Sequence, residues 1–338
     1  MATLANKLEP VTNDQWQQVN KFNREITEEF LRESPHLSKY TLIQYTSALK
    51  MFFWWVHEYA GDKSILEIKS RDFARYQNFS INRELSSNAI KMKRAAVSSL
   101  CNYIETFYED EYENFRNFTS KVKPPPPALI HEKKPMNKDE WNKLLDELKR
   151  RGEWQKIAYL EFSYASACRR NEAVQLLKEV AEYPLSEKPF KRKNKDGTDE
   201  EFVAKFYTTH DIRCKGQGKA GKIRRLQFDR TAMAAIWEWL SNRGEDDCPY
   251  VFVHKTKRGD VKQLSVSTFN SWCSGLFTEI VGRRIHPHQL REKKATDLCV
   301  DQNKDIRVAQ RVLGHNSPTT TELYVIRDVD EDALEAFV

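Results

Sequence analysis

From Thr41 to Val56 apolar residues recur at Leu42, Tyr45, Leu49, Phe52, Phe53 and Val56. Spacings of three and four place them on one stripe of a helix. Ser70-Arg-Asp-Phe73 opens a second helical stretch, and Ser87 to Tyr103 forms a third. No strand-like alternation or hairpin turn interrupts this part of the chain, so the pattern predicts a compact bundle of four or five helices. The pattern stops at Lys121-Val-Lys-Pro-Pro-Pro-Pro-Ala128. Proline lacks an amide donor and fixes φ, so this run can form neither helix nor sheet interior. It predicts a semi-rigid extended linker. The expected organisation is a helical domain over 1–120, a proline-rich linker over 121–134 and a second domain over 135–338.

The second domain mixes periods. Asn137 and Glu140 form a capping-box pattern ahead of the helical stripe Trp141, Leu144, Leu145 and Leu148. Residues 154–178 predict one or two more helices. Phe202–Tyr207 and Lys222–Phe228 alternate instead, and the glycines between 216 and 221 predict a turn joining two strands there. Helical spacing returns at about 230–242, 265–281, 288–299 and 304–313. A last short helix runs from Pro318 to about Tyr324, with Ser317 as cap. The fold class expected is mainly α with a small β-sheet.

Composition adds limits. The 338 residues allow two domains with cores, 40% of them are hydrophobic and 31% charged, and the net charge is +6. The charge is modest, but it is segregated. Residues 213–225 carry Arg213, Lys215, Lys219, Lys222, Arg224 and Arg225 with no acid, whereas 105–113 and 328–338 carry acids and no base. This division suits a protein that lays one basic surface on a polyanion, and also a set of solvated charged faces. Six cysteines without a C-x-x-C pair argue against a disulfide framework or a zinc site. The N-terminus lacks the basic start and apolar core of a signal peptide. No apolar run nears the roughly 20 residues needed to cross a bilayer. A cytoplasmic protein with no membrane partner is expected.

Three short segments carry candidate chemistry. They are Ala167-Cys-Arg169-Arg-Asn-Glu172, His288-Gln-Leu-Arg291, and Leu313-Gly-His315 with Tyr324 nine residues on. Taken singly, Arg169 with Glu172 also describes a helix-surface ion pair. Gly314 describes a helix C-cap, and Tyr324 a core aromatic. In this order, the set resembles the tyrosine recombinase (phage integrase) family. That family's pattern is an arginine with an acid three residues on, then H-x-x-R, then L-G-H, then a nucleophilic tyrosine. Leu37 to Tyr45 with Phe52-Phe-Trp-Trp55 is similar to the family's helical core-binding domain. The resemblance implies a helical SAM-like core-binding domain joined to a mixed α+β catalytic domain.

It also implies roles. Cutting a phosphodiester without metal requires positive charge at the phosphate, which two guanidinium groups can supply. These are Arg169 and Arg291. His288 and His315 fit hydrogen-bonding or acid–base duty near neutral pH. Tyr324 is the implied covalent nucleophile and Glu172 the buttress of Arg169. The family's hairpin lysine, which protonates the leaving 5′-hydroxyl, aligns with Lys219, with Lys215 as the second choice. No metal and no cofactor is implied. The partners implied are double-stranded DNA and three further copies in a tetramer on two synapsed sites, with a nucleoid-associated location. A type IB topoisomerase, a telomere resolvase and a silent DNA-binding relative remain as alternatives.

Some positions depart from the family pattern. Ala167 replaces a usual glycine, Glu292 stands where relatives often carry a second histidine, and 178–206 lengthens the segment before the lysine hairpin. That segment, with Lys191-Arg-Lys-Asn-Lys195 and Asp196-Gly197, fits either an extra exposed hairpin or a disordered basic loop. After the tyrosine, Leu334 and Phe337 give the acidic tail one small apolar face, suited to docking on a neighbouring copy or on its own domain.

Overall fold

The computed structural model describes residues 8–126, 134–193, 199–214 and 221–325, with nothing said of the side chains at 192 and 193. Lys215, Lys219, the Asp196-Gly197 turn and the acidic tail lie outside the described residues. The chain divides into two compact units near residue 131.

The first unit is helical. Its elements are α1 (Asn13–Gln18), α2 (Lys21–Arg32), α3 (Lys39–Tyr59), α4 (Ser70–Asn82) and α5 (Ser87–Phe107). Side-chain oxygens start four of them. Thr12, Asn20, Ser38 and Ser86 each accept an amide of the first turn of the helix that follows. The predicted stripe on α3 is buried: Leu49, Phe52, Phe53 and Val56 are wholly inaccessible. Phe52 packs on Phe53, Phe73, Tyr76 and Phe118 with ring centroids 5.0–6.3 Å apart. An aromatic so enclosed contributes about 3–5 kcal/mol when truncation to alanine is the measure. Buried Asn23 donates to the Lys63 carbonyl and accepts from the Ile65 amide, fixing the loop ahead of α4.

The second unit opens with α6 (Lys138–Arg150), whose capping box pairs Asn137 and Glu140 reciprocally. Next come α7 (Trp154–Ser166) and the single-turn α8 (Arg170–Ala173). Residues of α7 are buried on nearly every side, the mark of a central helix. Tyr159 stacks on Phe269 at 4.1 Å, and Phe162 meets Phe228 edge-on at 5.3 Å. Strands β1 (Ser186–Lys193), β2 (Asp199–Thr208), β3 (Ile212–Cys214), β4 (Lys222–Arg224) and β5 (Gln227–Phe228) follow, then α9 (Arg230–Arg243). Next are the ribbon β6 (Val253–Lys255) and β7 (Val261–Gln263), α10 (Val266–Trp272) and α11 (Thr278–Val281). The unit ends with α12 (His288–Thr296), α13 (Ile306–Leu313) and α14 (Pro318–Glu322). Two π-helical turns, Cys273–Phe277 and Asp297–Asp301, extend α10 and α12.

One sequence expectation changes here, and one left open is decided. The strands flanking residues 215–220 are β3 and β4, paired Ile212↔Arg224 and Cys214↔Lys222. Phe202–Tyr207 belongs to β2, which pairs along its length with β1 and, at Tyr207↔Phe228, with β5. The inserted segment is therefore a hairpin rather than a loop. Its exposed face is closed by cross-strand pairs, Lys191 with Glu201 at 3.0 Å and Lys205 with Glu187 at 2.8 Å. All six cysteines are unpaired, and Cys248 is the one not fully buried. Among the described residues, no helix is long and apolar enough to cross a membrane.

Candidate active site

Local folding delivers the predicted side chains that are described to one place. Helix α7 ends at Ala167, which adopts a left-handed conformation with φ 47°. That reversal turns the chain into Arg169, the N-cap of α8. A non-glycine residue in this region is strained, which is the physical reason for the glycine usual at the position. Glu172, in the only turn of α8, is 1% exposed. Its carboxylate accepts from the Arg169 amide at 2.9 Å and from Arg169 Nη1 at 3.2 Å. Burial alone would raise its pKa. The Arg169 amide and the Arg224 and Arg169 charges outweigh burial and hold the carboxyl below its ordinary value.

Helix α12 starts at His288 and carries Arg291 one turn on. Arg291 is 1% exposed. Its guanidinium donates to the Ala167 carbonyl, to the Leu313 carbonyl at 3.0 Å and to His315 Nε2 at 3.2 Å. Among the described residues, Arg291 Nε meets no hydrogen-bond partner. Burial and then the nearby Arg169 charge push Arg291 down to about 10, so it remains a cation at neutral pH.

Helix α13 ends at Gly314 with φ 68°, and His315 follows. The positive φ at 314 dictates glycine, and a Cβ there would also displace the Arg224 guanidinium. Arginine can only donate, so His315 Nε2 accepts from Arg291 and Nδ1 carries the proton. Nδ1 lies 3.1 Å from Thr321 Oγ1, which receives it. Burial, then the charges of Arg291 and Arg169, hold His315 down at about 4. Crowding of the His288 ring, then Arg291 and His286, depress His288 to about 4 as well. His288 is exposed, and solvent screens part of this effect. Both rings are neutral at pH 7.

Tyr324 follows α14 and is partly buried. Its ring centroid is 4.7 Å from that of His315 and 6.1 Å from that of His288, and Arg291 Cζ is 5.7 Å from it. Tyr324 and Val325 pack on Ala167, Ala295, Leu298, Cys299, Ala309 and Leu313. Arg169, His288, Arg291, His315 and Tyr324 thus belong to one cluster, and Lys219 lies outside the described residues. The chain brings in further groups, of which the sequence had marked only Arg224, as part of the basic run 213–225. Thr321 orients His315, and the Ala167 and Leu313 carbonyls orient Arg291. Arg224 shares Glu172 with Arg169. The carbonyls leave no trace in side-chain identity, and Thr321 is visible only as a position one helical turn before Tyr324.

Comparison with known proteins follows the same lines. Residues 201–331 match the model of the phage integrase family, and 28–105 match that of the phage integrase N-terminal SAM-like domain. The SPbeta prophage-derived recombinase-like protein YomM of Bacillus subtilis is 33% identical over 99% of this chain and 96% of its own. The chain belongs to the tyrosine recombinase family. A shorter match, 36% identical over 32% of this chain and 36% of the relative, joins this recombinase family member to the tyrosine recombinase XerA of Pyrococcus horikoshii. In fold it is similar to the Tn1549 transposon integrase in complex with transposon right-end DNA, with TM-score 0.65, 12% identity and coverage of 92% and 97%. It is also similar to the XerH site-specific recombinase bound to a palindromic difH substrate, with TM-score 0.65, 17% identity and coverage of 96% and 86%.

Proposed function

We propose that this chain is a site-specific DNA recombinase that cuts and rejoins duplex DNA through a 3′-phosphotyrosyl intermediate on Tyr324. The observation that carries the reading is the Tyr324 ring set against His315 and beside the Arg291 guanidinium, at 4.7 and 5.7 Å. Arg169 and Arg291 take the two non-bridging oxygens of the scissile phosphate and stabilise the charge that gathers there in the transition state. The Tyr324 oxygen bonds to phosphorus and loses its phenolic proton, and the bond from phosphorus to the 5′-oxygen breaks. Lys219 supplies the proton that this oxygen gains. His288, neutral at pH 7, receives the phenolic proton, while His315, whose Nε2 accepts from Arg291 and whose Nδ1 faces Thr321, holds the Arg291 guanidinium in place. The 5′-hydroxyl of a second strand then reverses the chemistry. The bond energy is kept in the phosphotyrosine, so neither ATP nor metal takes part.

Both the helical domain over 1–120 and the catalytic domain over 135–338 contact the duplex. Four copies hold two sites together in the cytoplasm, on the nucleoid. The relatives named for recombination and the solved neighbours bound to DNA support this reading. The test is a nicked duplex that traps covalent protein. Wild type becomes linked to DNA, and Tyr324→Phe does not, while binding changes less than about two-fold because one hydroxyl adds little to a phosphate footprint. Covalent product from the phenylalanine variant refutes the assignment. Cleavage by isolated monomers that reseal the same strand favours a type IB topoisomerase instead.

A further inference from the structure

We propose that Arg224 is a positioning residue of this site. It sets the Arg169 guanidinium by dividing the Glu172 carboxylate, and it braces the turn that presents His315. The inference rests on the reading of the chain as a DNA-cleaving enzyme.

Arg224 ends β4 and is paired with Ile212 across the ribbon. Its side chain is 16% exposed and makes three directed contacts. Nη2 meets Glu172 Oε2 at 3.1 Å, Nε donates to Cys214 Sγ at 3.2 Å, and Nη1 donates to the Val312 carbonyl at 3.4 Å. The guanidinium lies close against Gly314, where a Cβ would displace it. One side chain therefore touches the turn that carries Glu172, the β3 strand, and the end of α13. Strand β3 is tied to the same turn a second way, since Gln175 Oε1 accepts from the Arg213 amide at 3.1 Å and its Nε2 donates to the Arg213 carbonyl at 2.9 Å.

The division of Glu172 is the key step. Oε1 serves Arg169 Nη1, and Oε2 serves Arg224 and the Arg169 amide. With one oxygen engaged elsewhere, Glu172 cannot take Arg169 in a two-pronged grip. The remaining donors of Arg169, which is 26% exposed, stay available for a phosphate. Without Arg224 the buried carboxylate has one cation left, and Arg169 closes onto it. A planar fork is needed to reach a carboxylate, a sulfur and a carbonyl at once, and lysine has none.

The test compares wild type, Arg169→Ala, Arg224→Met and Arg224→Lys on two nicked duplexes, one with a natural scissile phosphate and one with an uncharged methylphosphonate there. An arginine that neutralises a non-bridging oxygen becomes dispensable when that oxygen is replaced by methyl. Arg224→Met is expected to slow covalent attachment by about 30-fold or more on phosphate, yet to come within about three-fold of wild type on methylphosphonate, as Arg169→Ala does. A fault of folding alone slows both substrates equally. Should Arg224→Met fail to fold, Arg224→Lys decides, with the same pattern at a smaller loss. Equal loss on both duplexes, or none, overturns the proposal. A wild type that attaches to neither duplex overturns the enzyme reading and this proposal with it, whereas a wild type that attaches beside an unimpaired Arg224→Met overturns only the proposal.

Discussion

Arg169 and Arg291 stand in one cluster, but the protein holds them by opposite means. Arg169 is partly exposed, caps a single helical turn and rests on a carboxylate. Arg291 is almost inaccessible and is held by two carbonyls and an imidazole, all neutral. A charge held by a charge is cheap to bury and partly cancelled. A charge held by dipoles is costly to bury and keeps its field. The comparison assigns most of the positive potential at Tyr324 to Arg291; under the proposed function, Arg169 adds a directional contact with the phosphate.

The largest effect that sharpens this contrast is Arg291→Met. Two carbonyls lose their donor, about 1–3 kcal/mol each, but several kcal/mol of charge desolvation vanish as well. Stability in urea should move by less than about 2 kcal/mol while covalent attachment falls by about a thousand-fold or more. A collapse of stability in step with activity breaks the comparison. Arg169→Ala comes next, with attachment about a hundred-fold slower and about 1 kcal/mol lost, because Glu172 keeps Arg224.

A third measurement reads the field directly. His315 is depressed to about 4 by burial first, then by Arg291, then by Arg169. An imidazole NMR titration should show His315 rising towards its ordinary 6.5 further in Arg291→Met than in Arg169→Ala. The same depression fixes a sign for stability. The unfolded chain takes up protons below 6.5 that the folded chain refuses until about 4, so this contribution is complete above 6.5 and is lost as pH falls towards 4. Thermal melts of His315→Asn should fall less steeply across that window than wild type. The smallest effect concerns the turn that feeds both arginines. Ala167→Gly relieves a left-handed residue but gives up a buried methyl and chain stiffness, so stability should change by less than about 1 kcal/mol, with activity intact.

Much of this was legible in the chain, for reasons that differ by element. The α3 stripe of Leu49, Phe52, Phe53 and Val56 reads clearly because one face of a long helix is buried. The β1–β2 hairpin reads only in part: Phe202–Tyr207 alternates as β2 does, but charged residues line β1 and Phe190 stays exposed, so β1 shows no period of two. The β6–β7 ribbon has three-residue strands, too short to show alternation at all. The correct partner of Lys222–Arg224 was hidden for the same reason, since β3 is also three residues long. Within the site, the charged side chains could be found from their order along the chain. What holds Arg291 could not, because a carbonyl belongs to every residue.

The cysteines have a practical use. Burial pushes Cys168 up to about 11 and Cys273 to about 12, and it also raises Cys101 and Cys214. Cys248, in the loop after α9, is the thiol that solvent reaches. A maleimide dye added under native conditions should attach once per chain, there, without any engineered substitution. Stepwise photobleaching of such a preparation on a single immobilised duplex would then count the copies directly.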